Sequence, residues 1–119
     1  LIDKRKLIVG RLNNDIAGKL QLLLQPSNNE AQQKIFQITS HFVAPWARGY
    51  GLAKTMIDKA EHVAVENGSN CIQLDVRETQ EAAIQLFISK GYTQWGTNPN
   101  YAQINGKYIK GFYFYKKLS

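Results

Sequence analysis

The residue types best suited to chemistry lie in a short run that joins a strand to a helix. Positions 43–53 read Val-Ala-Pro-Trp-Ala-Arg-Gly-Tyr-Gly-Leu-Ala. The first N–H groups of a helix have no intrahelical acceptor, and the helix dipole adds partial positive charge at the same end. Arg48 lies beside these groups, and Gly49 and Gly51 are small enough for close backbone approach. The run therefore predicts a site for a phosphorylated ligand.

Two common glycine-loop motifs fit this run poorly. A dinucleotide fingerprint requires G-x-G-x-x-G, and Lys54 stands where its third glycine belongs. A nucleotide P-loop requires G-x-x-x-x-G-K-[ST], and Arg48 and Ala53 occupy both of its glycine positions. Each mismatch replaces a residue with a steric role, so neither motif is favoured.

A third pattern fits throughout. Arg48–Ala53 matches the [QR]-x-x-G-x-[GA] signature, and Val43–Pro45 matches the V-x-P that usually precedes it, in the GNAT superfamily of N-acetyltransferases. The segments Leu74–Val76, Gln80–Ala83 and Leu86–Tyr92 resemble that family's L-x-V, N-x-x-A and L-Y-x-x-x-G-F, in the same order. The resemblance covers roughly residues 6–118, almost the whole chain.

The resemblance implies a mixed α/β fold: a central, mostly antiparallel sheet with helices on both faces. Two parallel strands, ending at Val43 and Val76, are expected to splay apart and hold coenzyme A. We expect a single domain over residues 1–119 that lacks the first strand and helices of the family. Without those helices, the acceptor groove is expected to be open or completed by another chain, which allows a homodimer.

The resemblance also implies acetyl-CoA as the cofactor. Backbone groups at Phe42 and Val43 would pair with the pantetheine arm, and N–H groups from Arg48 to Ala53 would bind the pyrophosphate. The predicted cofactor-binding residues are Phe42, Val43, Arg48, Gly49, Tyr50, Gly51, Leu52, Ala53, Gln80, Ala83, Phe87 and Lys90. Two of these depart from the family pattern, because Gln80 stands in place of an asparagine and Phe87 in place of a tyrosine that acts as a general acid.

The mechanism implied by the resemblance is direct attack of an amine on the thioester, with the Val43 N–H polarising the carbonyl oxygen. A base must take a proton from the amine. His41 is a titratable residue on the strand that ends at Val43, and imidazole titrates near neutral pH. The base candidates are His41, Asp75 and Glu78, and packing alone also explains a histidine at position 41.

The elements that position these residues follow from hydrophobic periodicity and turn signals. Alternating apolar residues on both sides of Asn13-Asn14-Asp15 predict a hairpin, and residues 26–29 predict a loop. The remaining predicted elements are a strand over Ile35–Val43, a helix from about Leu52 to Asn67, a strand over Cys71–Val76, a helix over Glu81–Lys90, and strands over Tyr92–Trp95, Tyr101–Ile104 and Ile109–Tyr115. The order is ββ-β-α-β-α-β-β.

Composition limits the partners and the compartment. The 119 residues carry a formal net charge of +6, which favours anionic partners, but the basic residues are scattered, so nucleic-acid binding is disfavoured. The single Cys71 excludes an internal disulfide and favours a reducing, cytoplasmic setting. No apolar stretch is long enough to cross a membrane, and no metal site is predicted.

The expected activity is therefore acetyl transfer to a primary amine of a small molecule or peptide. Aromatic residues near the C-terminus are candidates for the acceptor side: Tyr101, Tyr108, Phe112 and Tyr113. A CoA-binding module without catalysis is an alternative, because Phe87 offers no proton. A basic nucleic-acid-binding domain is a second and weaker alternative.

Overall fold

The computed structural model describes residues 5–24 and 35–118, in which β-strands predominate. The predicted loop at 26–29 lies outside the described residues. The elements are β1 (Arg5–Leu12), β2 (Asp15–Leu24), β3 (Ile35–Val43), a 3-10 helix (Pro45–Ala47), α1 (Leu52–Glu66), β4 (Cys71–Arg77), α2 (Glu81–Ser89), β5 (Thr93–Ile104) and β6 (Lys107–Lys117). Up to the last hairpin, this is the order that the sequence predicts.

The strands form one six-stranded sheet in the order β1-β2-β3-β4-β6-β5. The β3–β4 pair is parallel, and the other four pairings in the described part of the chain are antiparallel. The predicted mixed, mostly antiparallel sheet with one parallel pair is thus confirmed. The crossover from β3 to β4 runs through α1, because parallel neighbours cannot be joined by a tight turn.

The last hairpin corrects one prediction. The segments Tyr92–Trp95 and Tyr101–Ile104 were expected to be two short strands, whereas both belong to β5, which is continuous from Thr93 to Ile104. Its pairing with β6 shifts register between Gln94 and Gly96 and again between Asn98 and Ala102. Such irregularities interrupt the alternation of apolar and polar residues that identifies a strand in the sequence. The sequence therefore indicated two short strands instead of one long strand.

The core lies between the sheet and both helices. Buried residues of β4 alternate at Ile72, Leu74 and Val76, and they share one cluster with Met56 of α1 and Phe87 of α2. Lys90, which directly follows α2, also forms an ion pair with Asp58 of α1. The described residues therefore supply the helices of one face of the sheet. No helix within this described part is both long and apolar enough to span a bilayer.

Candidate active site

The parallel strands β3 and β4 separate halfway along β3. They are paired from Ile35 with Cys71 to Ile38 with Leu74, and β3 then continues to Val43 with no further β4 partner. β4 meanwhile stays paired with β6 as far as Arg77 opposite Gly111. The predicted splay of the two strands is confirmed, and it leaves one edge of β3 open.

A β-bulge marks the point of separation. Thr39 pairs with Gln21 and Phe42 pairs with Lys19, so two residues of β3, Ser40 and His41, face a single residue of β2. Ser40 has a φ of 50°, which is unusual for a non-glycine residue. A bulge bends its strand and redirects side chains, and bulges are frequent beside functional sites.

The larger of two cavities opens beside the free edge of β3 and has a volume of about 580 Å³. Its walls come from the end of β3, the start of α1 and the start of α2, and Lys54 adds a second positive charge to that of Arg48. The first hydrogen bond of α1 runs from the Thr55 N–H to the Gly51 carbonyl at 3.1 Å. The preceding N–H groups of the helix therefore lack helical acceptors.

The loop before α1 fits an anion. Gly49 and Gly51 have φ values of 89° and 73°, in the left-handed region that favours glycine. A Cβ atom built at either position would meet no atom within 4 Å, so the space above both residues is open. The unpaired N–H groups, the two cations and this open space together suit a pyrophosphate.

The open edge of β3 presents the backbone of Val43. The Ala44 N–H donates to the Ala17 carbonyl at 2.7 Å, towards β2. Successive N–H groups along a strand point to opposite edges. The Val43 N–H therefore faces the side where β4 has separated, as a hydrogen-bond donor for a ligand.

A smaller cavity of about 230 Å³ adjoins the larger one, and His41, Gln80 and Ala83 line both. It is lined mainly by β3 and β4, and by Tyr101 from β5. Because the two cavities share walls, a ligand in the larger one can present a reactive end to a second molecule in the smaller one.

His41 lies at the junction of the two cavities. Its Nε2 atom is buried and has no hydrogen-bond partner among the described residues. Its ring packs edge-on against Phe87, with 5.9 Å between the ring centroids. Burial lowers the pKa of His41 below its ordinary value, which favours the neutral imidazole. A neutral imidazole nitrogen without a partner is suited to accept a proton.

Asp75 is held by two neighbours in the smaller cavity. The Gln37 Nε2 atom donates to Oδ1 at 3.1 Å, and the Tyr101 hydroxyl donates to Oδ2. Burial and this contact with the carboxylate raise the pKa of Tyr101 to about 12, so the phenol keeps its proton. A carboxylate accepts up to about four hydrogen bonds, so Asp75 retains capacity for a ligand.

The structure brings most of the predicted cofactor residues together. Nine of the twelve line the larger cavity: Phe42, Val43, Arg48, Gly49, Gly51, Leu52, Ala53, Gln80 and Ala83.

Three predicted cofactor residues lie elsewhere. Tyr50 is 69% exposed and lines neither cavity. Lys90 also lies outside both linings, where its ammonium is paired with Asp58 of α1. Phe87 is buried in the core and lines the smaller cavity alone.

The base and acceptor candidates also divide into residues that line a cavity and residues that do not. His41 and Asp75 both line the smaller cavity, whereas Glu78 lines neither cavity and its backbone N–H donates to the Lys110 carbonyl at 2.9 Å. Of the four aromatic candidates, Tyr101 alone lines a cavity. Tyr113 packs against the Tyr101 ring, Phe112 borders the core, and Tyr108 is 62% exposed near the tip of the β5–β6 hairpin.

Some cavity residues were not anticipated. Thr39, Ser40 and Arg77 line the smaller cavity. For Arg77 a signal was available, because it stands two residues after Asp75 and a strand places such residues on the same face. The exposure of Ser40 depends on the bulge, which no turn residue in the sequence marks.

Comparison with known proteins adds independent evidence. The family model described as "Acetyltransferase (GNAT) family" matches residues 2–92. A curated relative from Azospirillum brasilense, "Uncharacterized N-acetyltransferase in hisH-hisA intergenic region", is 46% identical over 80 residues. That match covers 67% of this chain and 48% of the relative, so the chain spans about half the length of the curated relative.

Solved structures share the fold at low sequence identity. An N-acetyltransferase from Staphylococcus aureus Mu50 superposes with a TM-score of 0.86 and 18% identity, covering 97% of this chain and 68% of that one. A GNAT-family acetyltransferase from Streptococcus pneumoniae superposes with a TM-score of 0.84 and 20% identity. The match covers 98% of this chain and 68% of that one. The yncA protein of Salmonella typhimurium, a putative acetyltransferase solved with its cofactor acetyl-CoA, superposes with a TM-score of 0.83 and 17% identity. The match covers 95% of this chain and 64% of that one.

Proposed function

The chain belongs to the GNAT acetyltransferase family, and on this premise we propose that it binds acetyl-CoA in the larger cavity and transfers the acetyl group to a primary amine. The observation that carries the proposal is the junction of the two cavities at His41, beside the open edge of β3. A donor in one cavity and an acceptor in the other would meet at a half-buried imidazole.

The residues of the larger cavity would hold two parts of this cofactor, the pyrophosphate and the pantetheine arm. Unpaired N–H groups at the start of α1, with Arg48 and Lys54, would hold the pyrophosphate. The open edge of β3 would pair with the amides of the pantetheine arm, as a neighbouring strand would. When bound, the cofactor supplies an activated acetyl thioester.

The protein would contribute a proton acceptor and a donor to the carbonyl. His41, neutral because burial lowers its pKa, would take a proton from the incoming amine at Nε2, directly or through water. The Val43 N–H would stabilise negative charge on the carbonyl oxygen during attack. Asp75 and Glu78 are less suited as the base, because Asp75 is engaged by two donors and Glu78 lines neither cavity.

Calorimetric titration of acetyl-CoA tests the cofactor part of the proposal. The variant Arg48→Glu should weaken binding by at least about tenfold, because it replaces an attractive charge at the phosphate loop with a repulsive one. Lys107→Glu is the matched control, since it makes the same charge change at the exposed tip of the β5–β6 hairpin. Equal affinity of both variants for acetyl-CoA would contradict the proposal that the loop before α1 binds the pyrophosphate.

Release of free thiol from acetyl-CoA, measured with a broad panel of amines, tests the transfer part. We expect amine-dependent release above the rate of hydrolysis, and we expect His41→Gln to reduce it strongly without weakening acetyl-CoA binding. Saturable binding with no turnover for any amine would instead favour a CoA-binding module without catalysis.

A further inference from the structure

We propose that the acceptor is a small amine that also carries a carboxylate, an amino acid or a close analogue, and that Asp75 and Arg77 recognise its two charges. This inference rests on the proposed function and names the class of substrate that the smaller cavity accepts.

The size of the cavity restricts the acceptor. Its volume of about 230 Å³ lies below the range of about 300–1,000 Å³ that is typical of pockets for drug-sized ligands. Polar side chains converge on it from three strands, among them Thr39, Asp75 and Tyr101. A small polar molecule therefore fits better than a long or apolar amine.

Two opposite charges lie along one wall of this cavity. Asp75 and Arg77 are two residues apart on β4, which places them on the same face about 6.6 Å apart along the strand. Both line the cavity. Arg77 forms no ion pair within the described parts of the chain, and it shares the lining of the cavity with Tyr101.

The two charges and His41 line the same cavity. Asp75, fixed by Gln37 and Tyr101 in the smaller cavity, is a partner for an ammonium group. Arg77, at the end of β4, is a partner for a carboxylate, which a guanidinium binds through two parallel hydrogen bonds. A molecule with both groups would satisfy both side chains within the cavity that His41 also lines.

This arrangement distinguishes an amino acid from the amino terminus of a peptide. In a peptide, an amide replaces the carboxylate next to the amine, so Arg77 has no anionic partner. A peptide also adds further residues that the small cavity must hold. Amino-acid amides make the first of these changes without adding chain. They are therefore the matched comparison for the role of the carboxylate.

The test compares glycine and the L-amino acids with their amides, by thiol release from acetyl-CoA. At least one amino acid should exceed its amide in kcat/KM by about tenfold or more, which corresponds to one good charge-assisted contact. Arg77→Gln should reduce this ratio towards one, mainly by raising KM for the acid. Arg77→Lys should restore part of the preference.

The control is Lys107→Gln, which removes one positive charge from the exposed hairpin tip and should leave the preference unchanged. Amides or short peptides acetylated as well as amino acids would overturn the proposal. So would an Arg77→Gln variant that loses activity equally on acids and amides.

A binding measurement separates this inference from the proposed function. Calorimetry of the same acids and amides with the CoA-loaded protein should show that the acids bind more tightly and that Arg77→Gln removes the difference. If no amine is acetylated yet this preference is observed, the transfer proposal fails and the recognition of amino acids stands. If turnover occurs without any preference for acids, the recognition proposal alone fails.

Discussion

The aromatic ring of Tyr101 lies against the backbone of Gly111, in the space that a side chain at position 111 would fill. A Cβ atom built at Gly111 would overlap the Cβ, Cγ and Cδ1 atoms of Tyr101. Gly111 pairs with Arg77 across β4 and β6, and the Tyr101 hydroxyl reaches Asp75 on β4. The absence of a side chain on β6 therefore allows Tyr101 of β5 to reach across that strand to the smaller cavity.

We expect Gly111→Ala to displace Tyr101 and break its hydrogen bond to Asp75. Overpacking of this kind typically costs about 1–3 kcal/mol in the free energy of unfolding. Acetyl transfer should fall as well, because the Asp75 carboxylate loses one of the donors that orient it. Urea unfolding and thiol release measure the two effects.

Gly96→Ala is the matched control for this substitution. Gly96 lies in β5, and a Cβ there would meet Tyr113 at 3.8 Å, an ordinary contact. This variant should therefore be nearly as stable and active as the parent chain. If both alanine variants behave alike, the close approach of Tyr101 to Gly111 does not position the site.

The local patterns of the sequence were sufficient for most of the fold. The strand at Ile35–Val43 has the predicted bounds, and α1 begins at the predicted Leu52. Gly68 and Gly91 directly follow the predicted helix ends at Asn67 and Lys90, and they have φ values of 82° and 92°. These signals are short-range, because a capping glycine and a periodic apolar face act within a few residues.

The smaller cavity was harder to predict because it depends on contacts between distant residues. Asp75 and Tyr101 are 26 positions apart, and their contact requires the register shifts of β5 and the missing side chain at Gly111. The bulge at Ser40 and His41 has no turn residue to reveal it. The loop before α1, proposed to bind the pyrophosphate, is by contrast a contiguous run of residues, so its pattern is visible in the sequence.

Gly51→Asn should weaken acetyl-CoA binding while leaving the fold intact. Asparagine tolerates the left-handed backbone better than other non-glycine residues, so the φ of 73° at this helix N-cap can be kept. Its side chain would extend into the open space where the pyrophosphate is proposed to bind. We expect acetyl-CoA affinity, measured by calorimetry, to fall at least about tenfold, which corresponds to the loss of one good hydrogen-bonded contact.

Gly106→Asn provides the comparison. Gly106 has a φ of 79° and open space above it, as at Gly51, but lies at the turn between β5 and β6. Both variants should unfold at similar denaturant concentrations, and Gly106→Asn should bind acetyl-CoA normally. Normal binding by Gly51→Asn would show that the phosphates do not approach this glycine.

His41 should make the stability of the protein depend on pH. Burial lowers its pKa in the folded state below the ordinary value of 6.5, so the unfolded chain takes up a proton first as the pH falls through about 6.5. The free energy of unfolding should therefore decrease below that pH, until the folded state is protonated as well. Urea unfolding between about pH 7.5 and 5 should show a smaller decrease for His41→Gln than for the parent chain.

His62→Gln is the control for this dependence, because His62 is exposed on α1 and pairs with Glu66 at 2.5 Å. It should retain the pH dependence that His41 causes. The pH profile of kcat/KM gives a second measurement, with an acid limb whose apparent pKa lies below 6.5. A profile unchanged by His41→Gln would exclude this imidazole as the base.

Phe87→Tyr should be tolerated, although Phe87 is only 2% exposed. Its ring borders the smaller cavity as well as the core, so an added hydroxyl has polar surroundings within reach. We expect a loss of about 1 kcal/mol in the free energy of unfolding, typical of a point substitution. Removing the ring with Phe87→Ala should cost about 3–5 kcal/mol.

Phe114→Tyr makes the same chemical change at a position that borders neither of the two cavities. Phe114 is fully buried in the core and lines neither cavity, so its new hydroxyl would be left without a hydrogen-bond partner. An unsatisfied buried hydroxyl costs about 1–3 kcal/mol, and overpacking adds to that loss. Phe114→Tyr should therefore unfold at clearly lower urea concentrations than Phe87→Tyr. Equal destabilisation would mean that position 87 is sealed within the core, where a tyrosine hydroxyl has no access to the reacting groups.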